Sequence, residues 1–467
     1  MSKRFRECSL EQPYLLPPSL QDWLPEDHLA RFIAEVAETF DLNGIYAHYE
    51  RKDGRGLAAY HPVMMTRLLL YAYATGRTSS RKIEQATYDD VAFRYLAADQ
   101  HPDHDTIAQF RQQHLEALSR LFVQALRLCQ RAGLVKLGHV AIDGTKMRAN
   151  ASTHQSARYQ QIREQEEQWK RTVERLLEEA ERTDTKEDRL YGKGKKGNTL
   201  PEELASAEKR LERLRQAQRE LEEEARERAE QAQREQREHA RRPGRPGKQD
   251  SPPALNATER ASLRKRVQRM RRLARQPERH YNFTDRDSRL MLDHGLRSYV
   301  QGYNAQIAVD GHKQVIVAAE LTQEVTDQHQ LLPMMQHVEA IAGEKPACVT
   351  ADAGYWYTAH LAHPALAGVE LLVPPESDEL RRKNVAAKTR VNAVAQAMRA
   401  KLREPAMRGI YRLRQAIVEP VFAQIKEGRG LRRFRLRGFQ KTRAEWNIIC
   451  LTHNLLKLFR HARLAIA

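Results

Sequence analysis

The sequence predicts an α/β protein: a mixed sheet flanked by helices, interrupted by a long charged helical insertion and preceded by an all-α region. Three observations predict it. Apolar residues recur at helical spacing through 1–135. Short β-like runs ending near acids and glycines stand on both sides of a charged block at 155–280. Helical sequence then fills most of 385–463.

In the first region, Leu29, Phe32, Ile33 and Val36 follow Asp22–His28 at helical spacing. His61-Pro62 opens a second apolar helix through Leu68, Leu69, Leu70 and Tyr73, which Gly76 stops. Ser79 or Ser80 can cap a helix over Arg81–Ala86, and Asp105 or Thr106 can cap one running through Phe110, Leu115 and Leu118 to about Ala132. Short helices with tight turns permit a helix-turn-helix reader of DNA, and they equally fit an ordinary helical bundle. Residues 1–135 are therefore expected to be a helical DNA-binding or dimerisation domain.

The α/β domain is expected to begin in 136–154, where His139-Val140-Ala141-Ile142 is a β-like run ending on Asp143-Gly144. Residues 155–280 are then almost free of aromatics and rich in Glu, Arg, Gln and Ala. Leu204, Leu211, Leu214 and Leu221 recur as in a coiled coil or helical hairpin. The basic loop Tyr191–Gly197 and the breaker Arg241–Lys248 divide this block, and a basic helix spans Thr258–Arg275. Sheet sequence resumes in 281–467. Tyr303–Val309 and Gln314–Leu321 flank Asp310-Gly311, a strong hairpin signal. A helix at about His329–Ala342, a strand at Ala347–Ala351 and a strand-like run at Val369–Pro374 precede the last helices. Strand, insertion, two strands, helix, strand, helix, strand, helix is the connectivity of an RNase H-like domain.

Lys and Arg number 79 against 61 Asp and Glu, a net charge of +18. That balance favours a polyanionic partner, nucleic acid or an anionic membrane surface, and says nothing about fold. No apolar run approaches a membrane span and the N-terminus is charged, so a cytoplasmic, nucleoid-associated protein is expected. Cys8, Cys129, Cys348 and Cys450 stand far apart, which excludes a C-x-x-C zinc pattern and reads as small buried side chains in a reducing compartment.

Asp143 and Asp352 each follow a β run and each is followed closely by glycine. Acids at strand ends sit where α/β sheets build their sites. Two aspartates with Glu419 are hard oxygen ligands suited to Mg²⁺, and two such ions about 3.5–4 Å apart can activate a water or 3′-hydroxyl and stabilise a leaving phosphodiester oxygen. Either Asp-Gly alone reads more readily as a turn. No spacing rule joins the three acids.

What joins them is a resemblance. Pro102–Ile107 with Phe110-Arg111, Ala141–Ala151, Thr284–Arg289 followed by Gly302–Gln306, Thr350–Tyr355, and Tyr411–Lys426 stand in the order found in DDE transposases of bacterial insertion sequences. The sequence resembles the branch of that family with a helical N-terminal domain and a Tyr-Arg-Glu-Lys signature. The resemblance implies that Asp143, Asp352 and Glu419 are catalytic and hold two Mg²⁺ or Mn²⁺ ions. It implies DNA strand cleavage and transfer at terminal inverted repeats, and a homodimer in the complex with double-stranded DNA. Tyr411, Arg414 and Lys426 are then expected to grip phosphates, with Lys146 and Arg148 beside the first acid. One departure is that Arg414 and Glu419 lie five apart where the family's best-known form has four. Pro420 also places Glu419 near a helix start or kink. Arg429, Arg432, Arg433, Arg435 and Arg437 form a strip expected to face the DNA backbone. Tyr355-Trp356-Tyr357 reads first as packing under the site, with base stacking as the alternative. Another RNase H-like nuclease, or an inactive relative acting as a DNA-binding architectural protein, are the competing readings.

Overall fold

The computed structural model describes residues 19–50, 59–191, 202–240, 257–275, 279–293, 297–361, 363–375 and 393–466. The basic loop after Tyr191, the breaker at 241–248 and Cys8 lie outside the described residues.

Seven helices come first: Leu29–Thr39, Asn43–Glu50, Pro62–Ala74, Ser80–Asp89, Val91–Leu96, His104–Gln113 and Leu115–Arg131. Gly76 ends the third at φ 79°, and a side chain there would strike the Arg429 carbonyl. The expected long helix ending near Ala132 is in fact two, divided at His114. Its cap is Asp103, not Asp105 or Thr106: the carboxylate accepts from Thr106 N at 2.6 Å.

The sheet is mixed. Strands are β1 (His139–Arg148), β2 (Ser156–Arg158), β3 (His280–Asn282), β4 (Arg289–Asp293), β5 (Ser298–Asp310), β6 (Ile316–Thr322), β7 (Cys348–Thr350) and β8 (Glu370–Leu372). β5 is antiparallel to β1, β4 and β6, while β1, β7 and β8 run parallel. The Asp310-Gly311 hairpin joins β5 to β6 as expected, and Asp310 fixes it by accepting from Leu137 N and His312 N. β2 and β3 pair as a separate small sheet. Between them lie the helices Tyr159–Tyr191, Glu202–Ala240 and Ala257–Arg275. Leu211, Leu214 and Leu221 are buried where these helices meet. Leu204 has no described side chain.

Alternation along β1 divides the core. Val140 and Ile142 pack on one face with Leu331, Met334 and Val349, against the helix Leu331–Ala342. Ala141 and Met147 pack on the other with Trp446, Val418 and the N-terminal helices. One apolar cluster thus runs from the N-terminal bundle into the sheet. The terminal helix, Phe439–Ile466, lies along Pro62–Ala74 and Leu115–Arg131 within it. Cys129, Cys348 and Cys450 are free and buried. No described helix is long and apolar enough to cross a membrane.

Candidate active site

Asp143 does not end its strand. β1 continues through Gly144 to Arg148, paired with β5 the whole way. Asp143 and Thr145 share the face of Ala141 and meet the helix Pro405–Ala423 and its π-helical continuation Gln424–Gly428, together here the signature helix. Arg414 Nη1 donates to Asp143 Oδ2 at 2.8 Å, with the two side chains only 12% and 20% exposed. The parallel register pairs Ala141 with Thr350. Asp143 and Asp352 each stand two residues further on, and the charge of Asp352 acts on Asp143. Asp352 lies just past β7 and caps a turn, accepting from Gly354 N at 2.8 Å. Burial pushes the Asp143 carboxyl up to about 6; Arg414 opposes this and Asp352 adds to it. Burial likewise raises Asp352, with Asp327 contributing.

Asp327, which carries no local signal in the sequence, is the third carboxylate the fold brings here. Its Oδ1 accepts from Asn304 Nδ2 at 2.6 Å and Gln306 Nε2 at 2.7 Å, and Lys146 Nζ lies 3.8 Å away. Gly144 makes room for this network. A Cβ there would collide with Gln306 Nε2 and lie 2.7 Å from Asp327 Oδ1. Tyr355 is fully buried and donates to Gln306 Oε1, and Trp356 packs against the adjoining core, as the packing reading expects. The trace of Asp327 in the sequence is indirect: Asn304 and Gln306 place two buried polar side chains on one face of β5, and such groups require partners.

Glu419 is not near a helix start. It sits well inside the signature helix with Pro420. Proline cannot donate to the carbonyl four residues back, that of Ala416. Gln314 Nε2, from the hairpin tip, donates to that carbonyl at 2.9 Å. Glu419 is exposed. Its helix neighbours are engaged: Tyr411 hydrogen-bonds Arg414, while Lys426 Nζ donates to Thr145 Oγ1 and to the Lys146 carbonyl at 3.0 Å. Burial lowers the Lys426 and Lys146 ammonium groups from their ordinary value.

The arginine strip divides. Arg429 departs from the expected DNA-facing strip: its guanidinium is buried and donates to Thr452 Oγ1 at 2.7 Å and to the Ile449 carbonyl at 3.3 Å. It fastens the strip to the terminal helix and cannot meet a phosphate there. Arg432, Arg433, Arg435 and Arg437 are exposed, Arg432 being paired with Glu427. Buried Glu445 accepts from the Arg435 and Leu436 amides at 3.0 Å and from Tyr73 Oη at 2.9 Å. The strip is thereby held to the N-terminal bundle.

Among the described residues, no group of three or more His, Cys, Asp or Glu side chains is arranged to hold a metal ion. Asp143 and Asp352 nevertheless suit a hard cation. Both are oxygen donors whose ionised forms burial disfavours, and a bound cation would offset that cost.

Two family models match the chain: a transposase domain (DUF772) over residues 18–113 and a transposase DDE domain over 377–459. The first covers the early N-terminal helices. The second covers the signature helix, the arginine strip and most of the terminal helix. All eight strands, with Asp143 and Asp352, lie between the two matched ranges. No curated protein and no solved structure matches the chain.

Proposed function

The chain belongs to the DDE-type transposases of insertion sequences, and we propose that it binds its element's terminal inverted repeats and catalyses metal-dependent DNA strand cleavage and transfer. The observation that carries the catalytic assignment is the parallel register of β1 and β7. It ends at Ala141 and Thr350, two residues before each aspartate; the charge of Asp352 acts on Asp143, and Arg414 of the DDE-matched segment pairs with Asp143. The strand order β6-β5-β1-β7-β8, antiparallel and then parallel, supports an RNase H-like domain.

Asp143 and Asp352 would hold Mg²⁺ or Mn²⁺, and Glu419 is the third acid by resemblance. Glu419 lies on the signature helix between Arg414 and Lys426, whose side chains land on β1 at Asp143 and at Thr145–Lys146. The family's two-ion site would supply an activated water or 3′-hydroxyl and stabilise the leaving oxygen. Within the chain, Arg414 holds Asp143 in place and offsets its charge, with Tyr411 steadying Arg414. Lys426 anchors the signature helix to β1. Exposed Arg432, Arg433 and Arg435, with Arg148, would take phosphates, where guanidinium can fork onto two oxygens. Residues 1–135 are proposed to bind the repeat and support a homodimer. The insertion, as a helical or coiled-coil arm, is proposed to embrace DNA or the second copy.

Asp327 favours a second reading of the third acid. Its charge acts on both aspartates. The test is cleavage of a labelled duplex carrying the element's terminal repeat, with Mg²⁺ or EDTA. Metal-dependent nicking at the repeat boundary, lost in Asp143→Ala and Asp352→Ala with binding retained, supports the proposal. Binding without cleavage under any metal would overturn it in favour of an architectural protein. Loss of nicking in Glu419→Gln but not Asp327→Asn keeps Glu419 as third acid; the opposite result replaces it.

A further inference from the structure

We propose that a cleft at the far end of β1 is a second, non-catalytic DNA site, which grips the phosphodiester backbone away from the bond being cut. This rests on the transposase reading.

The cleft has a volume of about 620 Å³ and is lined by Arg148, Arg433, Arg437, His154, Asn150 and Tyr299, among others. No aspartate or glutamate lines it. Among the described residues, none of the three arginines makes an ion pair, although Arg432, next in the chain to Arg433, pairs with Glu427. Three guanidinium groups converging without a carboxylate repel one another, and a polyanion relieves that repulsion.

The convergence is built by the fold. Arg148 and Arg433 are almost 300 residues apart and are joined by a parallel β-bridge. Arg148 N donates to the Arg432 carbonyl at 3.2 Å, and Phe434 N donates to the Arg148 carbonyl at 2.9 Å. Arg437 Nε donates to the Asn150 carbonyl at 2.9 Å, and Asn150 Nδ2 donates to the Arg435 carbonyl at 2.8 Å. Tyr299, 65% exposed at the rim, offers an aromatic face to a sugar or base.

The spacing follows from the strand. Arg148 is five residues beyond Asp143 on β1, which is about 17 Å of extended chain. Five being odd, the Arg148 side chain leaves the face of β1 opposite to that of the Asp143 carboxylate, so a phosphate held in the cleft is not the scissile one.

The test uses the full chain and a duplex of about thirty base pairs carrying the terminal repeat. Affinity is measured across salt for wild type, Arg433→Gln, Arg433→Gln/Arg437→Gln, and Lys345→Gln as a control, an exposed cation outside the regions proposed to meet DNA. Each lost phosphate contact lowers the log–log salt slope by about 0.9, so the single variant should lose about one and the double about two, with the control unchanged. Ethylation interference should lose a signal at a phosphate other than the scissile one in the double variant only. Arg433 makes no side-chain hydrogen bond or ion pair among the described residues, so its variant should keep the wild-type unfolding temperature. An unchanged slope and interference pattern in the double variant, with wild type binding and cutting, would overturn the cleft alone. A wild type that neither binds nor cuts the duplex would overturn the transposase reading and this inference with it.

Discussion

Asp143→Asn removes a charge that the fold holds at a cost, and that cost depends on pH. The carboxyl titrates near 6 in the folded chain, against an ordinary value of 3.8, with burial as the main cause. A raised carboxyl favours the folded state only while it is protonated. Its contribution is fully present below the unfolded value and is lost as pH rises through about 6. The gap, at about 1.36 kcal/mol per pH unit, is worth roughly 3 kcal/mol, an upper bound for a side chain one-fifth exposed. Asparagine does not titrate. The loss of Arg414's partner shifts the variant's stability by an offset, but the titration does not. The stability of the variant relative to wild type should therefore rise by up to about 3 kcal/mol between pH 4 and pH 7.5. Asp352 feels the same charge, so the two carboxyls share the transition. The assay is denaturant unfolding in EDTA across that range, followed by tryptophan emission; Trp446 is fully buried and donates to the Gln306 carbonyl beside the site. A relative stability that stays flat from pH 4 to 7.5 refutes the reasoning. Repeating the series with Mg²⁺ adds a second readout. At a hundred times its dissociation constant the ion should stabilise wild type by about 2.7 kcal/mol and the variant by much less.

Gly144→Ala drives a methyl into Gln306 Nε2 and Asp327 Oδ1; it should cost about 1–3 kcal/mol and reduce cleavage at least tenfold, read by unfolding midpoint and nicking rate. Gln314→Ala removes the donor to the Ala416 carbonyl and should lower stability by about 0.5–1.5 kcal/mol; an unmoved midpoint would mean that water replaces the amide. Arg429→Met should leave the salt slope of DNA binding at its wild-type value, because that guanidinium is buried in the protein; a slope lowered by about 0.9 would place it on a phosphate instead.

The strands were legible where local pattern and tertiary burial agree. β5, β6, β7 and β8 emerge near their expected places because each is an apolar run bounded by turn residues. β1 was legible only in its first half. Asp143-Gly144 has the composition of a turn, yet here the glycine serves to admit Asp327, Asn304 and Gln306 against an unbroken strand. The reason lies on β5 and in the loop after β6, and no window around residue 144 contains it. Asp327 has neither a strand end nor a motif beside it, so only the folded chain identifies it. Arg429 misleads in the opposite direction. A run of arginines reads as surface, and one member is buried because Thr452 and the Ile449 carbonyl offer it acceptors.

Pro420 shows why the misplaced residues gather around the site. Local rules place a helix start or kink at Glu419, since proline leaves the Ala416 carbonyl without its helical donor. The helix continues because Gln314 supplies a donor from the hairpin tip, where Ile417 also packs close to Gly311. The same hairpin is held by Asp310 to the backbone just before β1. The signature helix, which carries Arg414 to Asp143 and Lys426 to Thr145, is thus buttressed by the strand pair that flanks β1. The hairpin tip carries no chemistry of its own, but it bears on the spacing between Glu419 and the aspartates. Changes at Gln314 or Gly311 should therefore act on catalysis through the helix, while the β1–β7 pairing that leads up to Asp143 and Asp352 stays intact.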